Sequence, residues 1–347
     1  MATVRVYLLT FRRPQLLRRA LGSLLQQSLR DWTCELHNDA PEDEAPRAVL
    51  AELAPGDPRI QYHRHSRNWG PVAAFNHAFA GGPEEFASIL EDDNWWRPEF
   101  LACALTSLQR QPAAALAWTN MRLWREETTD RWIDTGRAIW PRAEAAAPVA
   151  EFRWPELLQA FDALHSNGAM VFRPRRFQPQ TVPPATPLAI IEQVRERAAT
   201  GPLLFLPELL ANFAITRHTA RSDDPRQWLQ AKLLVAASFF QAVAVSDLDL
   251  VRIWETRRAL RPRDTDLFFL LALALRNARL IRAARPADWS HFLLGAARHP
   301  RRLLRGLRFR RDHAEVWAWL RARTSAAPRL AAAASVLSKQ GFSVGVA

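Results

Sequence analysis

Apolar residues along the first hundred positions alternate between two periods. Thr3 to Thr10 is a mostly apolar run rich in β-branched and aromatic types, and Leu16, Leu17, Ala20, Leu21, Leu24 and Leu25 then recur at helical spacing. The same alternation continues with a strand at Trp32 to His37, a helix around Ala48 to Leu53, and a short strand at Ile60 to His63. A helix follows from Asn68-Trp69-Gly70-Pro71 to Ala80, and a buried strand runs from Phe86 to Leu90. Strands alternating with helices predict a mostly parallel, doubly wound α/β sheet.

Further on, the pattern predicts a helix from Pro98 to about Gln111 and a strand at Ala115 to Leu123. Trp124 to Pro155 carries no period and reads as an irregular binding loop or lid. A helix near Pro155 to Ala163, a strand at Ala169 to Phe172, a helix at Leu188 to Ala199 and a strand at Leu203 to Leu206 follow. Beyond Asp223-Asp224-Pro225 only amphipathic helices are expected, so the chain divides into residues 1–222 and a helical region, 223–347.

Composition narrows this picture. At 347 residues, 48% hydrophobic and 24% charged, with 14 Trp, the chain is globular rather than disordered. Cys34 and Cys103 alone support neither a disulfide framework nor a zinc cluster, which fits a reducing compartment. Neither a signal peptide nor a membrane-spanning helix is expected, and a cytoplasmic location follows. The net charge of +12 is carried mostly by arginine, part of it at 298–311. Without a helix-turn-helix, zinc or RNA-binding motif, no nucleic-acid partner is expected; the basic helices suit a peripheral position on an anionic membrane.

Chemistry concentrates at strand ends. Glu91-Asp92-Asp93-Asn94 closes the strand at Phe86 to Leu90, and three successive carboxylates repel one another unless a cation shares them. Hard divalent ions take such oxygen ligands together with substrate phosphates. In open sheets ligands lie beyond the carboxyl ends of the strands, where Thr10, Asp39 and Asp93 all fall. Alone, each residue has a plainer reading: a helix cap for Thr10 or Asn68, a turn former for Asp39, a solvated turn for the acidic triplet.

Taken in order, Thr10-Phe11-Arg12-Arg13, Asn38-Asp39, Asn68-Trp69-Gly70, Asn76 and the acidic cluster followed by Trp95-Trp96-Arg97-Pro98-Glu99-Phe100-Leu101 resemble the family 2 glycosyltransferases over residues 3 to 105. The resemblance implies a GT-A type, Rossmann-like mostly parallel sheet flanked by helices, with the helical region appended. It also implies an inverting transferase that takes a nucleotide-sugar donor, with UDP the expected nucleotide, and a divalent metal, Mg²⁺ or Mn²⁺. The acceptor would be a hydroxyl on a glycan, a lipid-linked glycan or a similar molecule, as in cell-surface polysaccharide biosynthesis.

By the same resemblance, Thr10, Arg13 and Asp39 hold the base and ribose, and Asn68, Gly70 and Asn76 border the nucleotide and sugar. Glu91 and Asp92 line the donor, and Asp93 binds the metal. Glu91 stands where the family usually has Asp. Glu192 matches the acidic general base, although the usual acidic pair is reduced here to Glu192-Gln193, and an exposed helix carboxylate is the plain reading. His218, after Arg217, matches a position near the leaving diphosphate. These departures leave one other class in view, a non-catalytic protein of the same fold that acts as an assembly partner.

Overall fold

The computed structural model describes residues 3–128, 131–140, 149–152, 154–161, 166–176, 181–197, 201–217, 225–260 and 262–323. β1 (Val4–Thr10), α1 (Pro14–Leu25), β2 (Trp32–Asn38), α2 (Ala45–Leu53), β3 (Ile60–Arg64), α3 (Gly70–Ala80) and β4 (Phe86–Glu91) follow the expected alternation. A two-residue β5 (Trp95–Trp96) leads to α4 (Phe100–Arg110). Then come β6 (Leu116–Thr128), β7 (Arg131–Ala138), β8 (Ala150–Phe152), β9 (Met170–Phe172), α5 (Ile191–Glu196) and β10 (Leu203–Ile215).

The main path of the sheet runs β3-β2-β1-β4-β9-β6-β10-β5. β1, β2, β3 and β4 pair in parallel, as do β6 and β10, while β9 is antiparallel to both β4 and β6. The sheet is thus mixed but mostly parallel on its first half, as expected. The parallel register brings Thr10 level with Asn38 and Leu9 level with Glu91, so the carboxyl ends of β1, β2 and β4 open on one edge.

Alternation within the central strands explains the near-continuous apolar runs: both faces are covered. Val4, Val6 and Leu8 pack against Leu17, Leu21 and Leu24 of α1 and Leu101, Leu105 and Leu108 of α4. Tyr7, Ala87 and Ile89 point the other way, to Phe75 and Phe79 of α3 and to the second core. That core also takes in the C-terminal helices α6 (Pro225–Ala242), α7 (Asp247–Leu260), α8 (Asp266–Leu275), α9 (Pro286–Arg298), α10 (Pro300–Leu307), α11 (Phe309–Asp312) and α12 (Ala314–Arg323). Leu233, Trp254, Phe268 and Leu320 are buried in the same cluster as Trp118 and Phe205 of the sheet.

The structure corrects three expectations. Part of the irregular segment 124–155 is sheet: β6 continues to Thr128 and pairs antiparallel with β7, and β8 pairs with β10. Trp124, Thr128, Trp132 and Thr135 sit on the final residues of β6 and on β7, where few residues are fully buried and the polar alternation masks a strand. The helix near Pro155 to Ala163 is a 3₁₀ turn, Leu157–Ala160, with 162–165 outside the described residues. β10 extends nine residues past Leu206, crossing register shifts between Leu206 and Ala211 that Pro207 imposes by lacking an N–H. Residues 218–224, at the expected division, and 324–347 lie outside the described residues.

Gly201, which opens β10, has φ of +100°, and a Cβ there would stand 2.7 Å from the carbonyl oxygen of Ala113. A backbone contact leaves no flexible atom to yield. Gly201→Ala should therefore lower unfolding stability by about 1–3 kcal/mol, read as a downward shift of the denaturant midpoint at unchanged slope.

Candidate functional site

The site is built around a carboxylate that the chain withdraws from water. Asp92 lies one residue past β4 and is fully buried. Its Oδ2 accepts from Thr10 Oγ1 at 2.8 Å, from the Phe11 amide at 3.2 Å and from Arg13 Nε at 3.3 Å. Arg13 Nη2 pairs with Asp92 Oδ1, and Arg13 Nη1 donates to Asp93 Oδ2 at 2.8 Å. Burial pushes the Asp92 carboxyl up to about 6, against the opposing pull of Arg13. The guanidinium thus answers the repulsion expected within the acidic triplet.

Asp93 is the more open of the two, its side chain 21% exposed, and its Oδ1 has no hydrogen-bond partner among the described residues. Arg19 Nη2 donates to the Asp93 backbone carbonyl at 2.9 Å. The Arg19 guanidinium lies 3.7 Å from the Trp95 ring centre and 4.2 Å from that of Trp132, and burial pushes its pKa down to about 10. Trp124 closes the same wall, donating from Nε1 to Asn212 Oδ1 at 2.8 Å.

Glu91 Oε2 accepts from Asn94 Nδ2 at 3.0 Å. The turn Asn167–Ala169 presses against this pair: a Cβ on Gly168 would stand 2.6 Å from Asn94 Nδ2 and 3.4 Å from Glu91 Oε2. The neighbouring Asn167, buried, has its Nδ2 3.5 Å from Glu192 Oε1 at the start of α5, and its Oδ1 has no partner among the described residues. One turn therefore touches both the acidic cluster and Glu192.

On the β2 side, Asp39 organises a loop. Its carboxylate accepts from the Trp69 amide at 2.6 Å, the Gly70 amide at 2.9 Å and His65 Nδ1 at 3.0 Å. Asn68 Oδ1 also accepts from the Gly70 amide, at 2.7 Å, and Gly70 sits at φ +75°, a conformation that glycine adopts without strain. His65 stacks on Trp69 with ring centres 3.6 Å apart, and Trp69 is 39% exposed.

The structure brings Thr10, Arg13, Asp92 and Asp93 together in one bonded group, and Asp39, Asn68 and Gly70 in a second beside it. The two meet where the Asp39 amide donates to the Thr10 carbonyl. Asn76 is elsewhere: its amide makes paired bonds of 3.0 Å with the Val182 backbone and accepts from Arg195 at 3.1 Å. Both ends of the Asn76 amide are thus engaged by the 181–183 segment and Arg195. His218 lies outside the described residues.

Sequence reading missed Arg19, Trp132, Asn167 and the histidines around Asp39. Arg19 sits within an amphipathic helix and looks like an ordinary solvated arginine. Only the fold sets it between two indoles.

The model for Glycosyl transferase family 2 matches residues 6–147, a segment that contains Thr10, Asp39 and the acidic cluster. Over that segment, less than half of the chain, the sequence is similar to glycosyltransferase family 2. A relative in Escherichia coli, named as a candidate colanic acid biosynthesis glycosyl transferase, WcaA, is 29% identical over 118 residues. That match covers 34% of this chain and 42% of the relative, less than half its length. Among solved structures, S. aureus TarS in complex with UDP-GlcNAc superposes with a TM-score of 0.57 at 13% identity, over 90% of this chain and 91% of that one. The same protein in complex with UDP gives 0.54 at 14%, with the same coverage. At such identity the likeness shows the fold, GT-A-like with a helical region following the sheet.

The two neighbouring aspartates of this segment should respond differently to truncation. Asp92→Ala removes the buried partner of Thr10, Phe11 and Arg13 and should cost about 2–4 kcal/mol of stability, toward the low end if Asp93 retains Arg13. Asp93→Ala should cost less than about 1 kcal/mol. Thermal and urea unfolding of the two variants side by side reads the difference.

Proposed function

We propose that the chain transfers a sugar from a nucleotide donor, with UDP the preferred nucleotide, to an acceptor hydroxyl, with inversion and with help from a divalent metal. The observation that carries this reading is the pairing of a buried, fully engaged Asp92 with an open Asp93 at the carboxyl edge of the sheet. That edge is where ligands of open α/β sheets bind. The UDP and UDP-GlcNAc complexes of TarS, which shares the fold, and the family 2 match support the donor class.

The residues present fit a hard cation. Asp93 offers carboxylate oxygen, and Mg²⁺ or Mn²⁺ is ordinarily held by one or two carboxylates plus substrate phosphates. When bound, the metal supplies charge stabilisation to the departing diphosphate. Arg13, now paired with Asp93, can turn to that diphosphate without leaving Asp92 alone, since Thr10 and the Phe11 amide still donate to it. Thr10, Asp39, Asn68 and Gly70 frame the nucleotide in this reading, and Glu91 lies toward the sugar.

Glu192 is proposed as the base that takes the acceptor proton, with His218 as a candidate for leaving-group stabilisation. The contact between Glu192 and Asn167, on the turn that also meets Glu91, supports a base facing the donor. The wall of Trp95, Trp124 and Trp132 offers apolar ring faces suited to a glycan acceptor. Polysaccharide assembly agrees with the name of the E. coli relative. The division into 1–222, carrying this chemistry, and a helical 223–347 is proposed on the same basis.

Calorimetric titration of UDP and UDP-sugars with and without Mn²⁺ tests the reading. Metal-dependent binding should appear in the wild type and weaken at least about tenfold in Asp93→Ala. If no nucleoside diphosphate binds under any metal condition, the non-catalytic assembly role takes its place.

The helical region carries a second proposal, peripheral attachment to an anionic membrane from the cytoplasmic side. Among the described residues no helix is long and apolar enough to cross a membrane. Trp289, Leu293 and Leu294 of α9 and Leu304 of α10 are nonetheless 40–58% exposed, beside exposed Arg298, Arg301, Arg302 and Arg305. Apolar side chains rimmed by arginine match the interfacial region of an anionic bilayer. The chain should cosediment with phosphatidylglycerol vesicles and not with phosphatidylcholine vesicles. Leu293→Asp with Leu304→Asp should lower that binding at least about tenfold, each leucine contributing about 1.5–3 kcal/mol if fully buried.

A further inference from the structure

Beside the donor edge, four histidines gather on β2, β3, α3 and the segment after β3, and the proposed transfer reaction uses none of them. Glu35 and His37 alternate on β2, and His77 comes from the last turn of α3. His37 Nε2 lies 3.0 Å from Glu35 Oε2, and His77 Nε2 lies 3.3 Å from the same oxygen. The ligand atoms of Glu35, His37 and His77 all fall within 4.8 Å of one another. On its other side His37 Nδ1 lies 2.9 Å from His65 Nε2, and His65 Nδ1 lies 3.0 Å from Asp39 Oδ1.

The hydrogens of this chain can be counted. Asp39, His65, His37 and Glu35 form three successive contacts, each of hydrogen-bond length, with a carboxylate at either end. Every contact needs one hydrogen, and two neutral imidazoles carry only two. With Asp39 accepting from His65 Nδ1, His65 Nε2 must accept from His37 Nδ1. The lone pair of His37 Nε2 then faces a lone pair of Glu35. One further cation, a third proton or a metal ion, completes the count, and the Glu35 end is where another imidazole, His77, converges on the same oxygen.

The surroundings favour the metal. The His37 side chain is 5% exposed and packs against the rings of His63 and His77, with centres 5.0 Å away in each case, a poor setting for an imidazolium. Glu35 Oε1 is held by Arg5, which is itself bound by Glu84, so Oε2 is left directed at the histidines. Two imidazole nitrogens and one carboxylate oxygen form a donor set of the zinc type, with a fourth position for water. Zinc bonds of about 2.0–2.1 Å in tetrahedral array imply ligand separations near about 3.3 Å, the spacing already present from Glu35 to both rings. His37 donating its other nitrogen toward His65, and that ring toward Asp39, is the outer-shell arrangement that fixes a metal-bound imidazole in its tautomer. His77, 43% exposed, leaves the site open to entry from solvent.

We infer that Glu35, His37 and His77 form a binding site for a borderline divalent cation such as Zn²⁺, separate from Asp93 and tied through His65 to the Asp39 loop.

The test uses tag-free, metal-stripped full-length chain. Zn²⁺ is titrated in competition with a chromophoric chelator, and Co²⁺ serves as a spectroscopic substitute whose visible absorption reports nitrogen and carboxylate coordination. One equivalent should bind the wild type, raise its Tm, and bind Asp93→Ala with the same affinity. His77→Ala and Glu35→Gln should each weaken binding at least about tenfold and abolish the Tm rise. His77 is partly exposed and its removal leaves the core intact, so His77→Ala decides the matter even if Glu35→Gln disturbs Arg5. Failure of the wild type to bind an equivalent of Zn²⁺ overturns the assignment and leaves a proton as the cation. Binding that survives His77→Ala, or that vanishes with Asp93→Ala, overturns it equally.

Discussion

Burial of the Asp92 carboxylate is the constraint on which the rest of the site depends. A carboxylate taken fully out of water must be matched by donors, and here they come from the end of β1 and the first residues after it. Thr10, Phe11 and Arg13 therefore cannot move independently of the β4 terminus. The polypeptide crosses between these strands through α1, β2, α2, β3 and α3, so a single side chain joins segments about eighty residues apart in sequence. The loop after β1 is fixed by this junction rather than by a helix cap: the residue before α1 makes no side-chain capping bond.

That junction also makes an acidic cluster tolerable in a sheet edge. Arg13 spans Asp92 and Asp93, and burial of the former is offset by a guanidinium that is itself held above its ordinary pKa by the two carboxylates. The arrangement separates the triplet into unlike parts. Asp92 is committed to the scaffold, Glu91 is tied to Asn94, and Asp93 keeps an oxygen without a partner among the described residues. Three adjacent acids that look equivalent in sequence thus have three environments, set by which way each peptide leaves the strand.

The first half of the fold was legible because its signals are local. Central strands buried on both faces read as apolar runs, and α1 shows a clear apolar stripe. The β6–β7 ribbon was not legible: its solvated face breaks the apolar run, and its pairing with a neighbour is a property of the pair rather than of either strand. The grouping of Thr10, Asp39 and Asp93 at one edge followed from strand order alone. The bonds of Asn76 to the Val182 backbone were not legible, because an asparagine in the right interval of a helix does not reveal which neighbour its amide meets. Arg19, Trp132 and Asn167 gave no signal, since each acquires its surroundings from a residue distant in sequence: Trp95 and Asp93 for Arg19, Glu192 for Asn167.

Asp39 gives the site its second dependence. It bonds the Trp69 and Gly70 amides, which start α3, and it also ends the histidine chain that passes through His65 and His37 to Glu35. α3 in turn supplies His77 to the far end of that chain. The loop that frames the proposed nucleotide pocket is therefore closed into a ring of contacts, with Asp39 at one end and Glu35 at the other. A metal ion at Glu35, as inferred above, would also fix the tautomer of His65, and with it the donor that Asp39 receives. Two carboxylates, Glu35 on β2 and Asp39 just past its end, are in this way linked across two imidazoles, and Asp39 carries that link to the amides of Trp69 and Gly70.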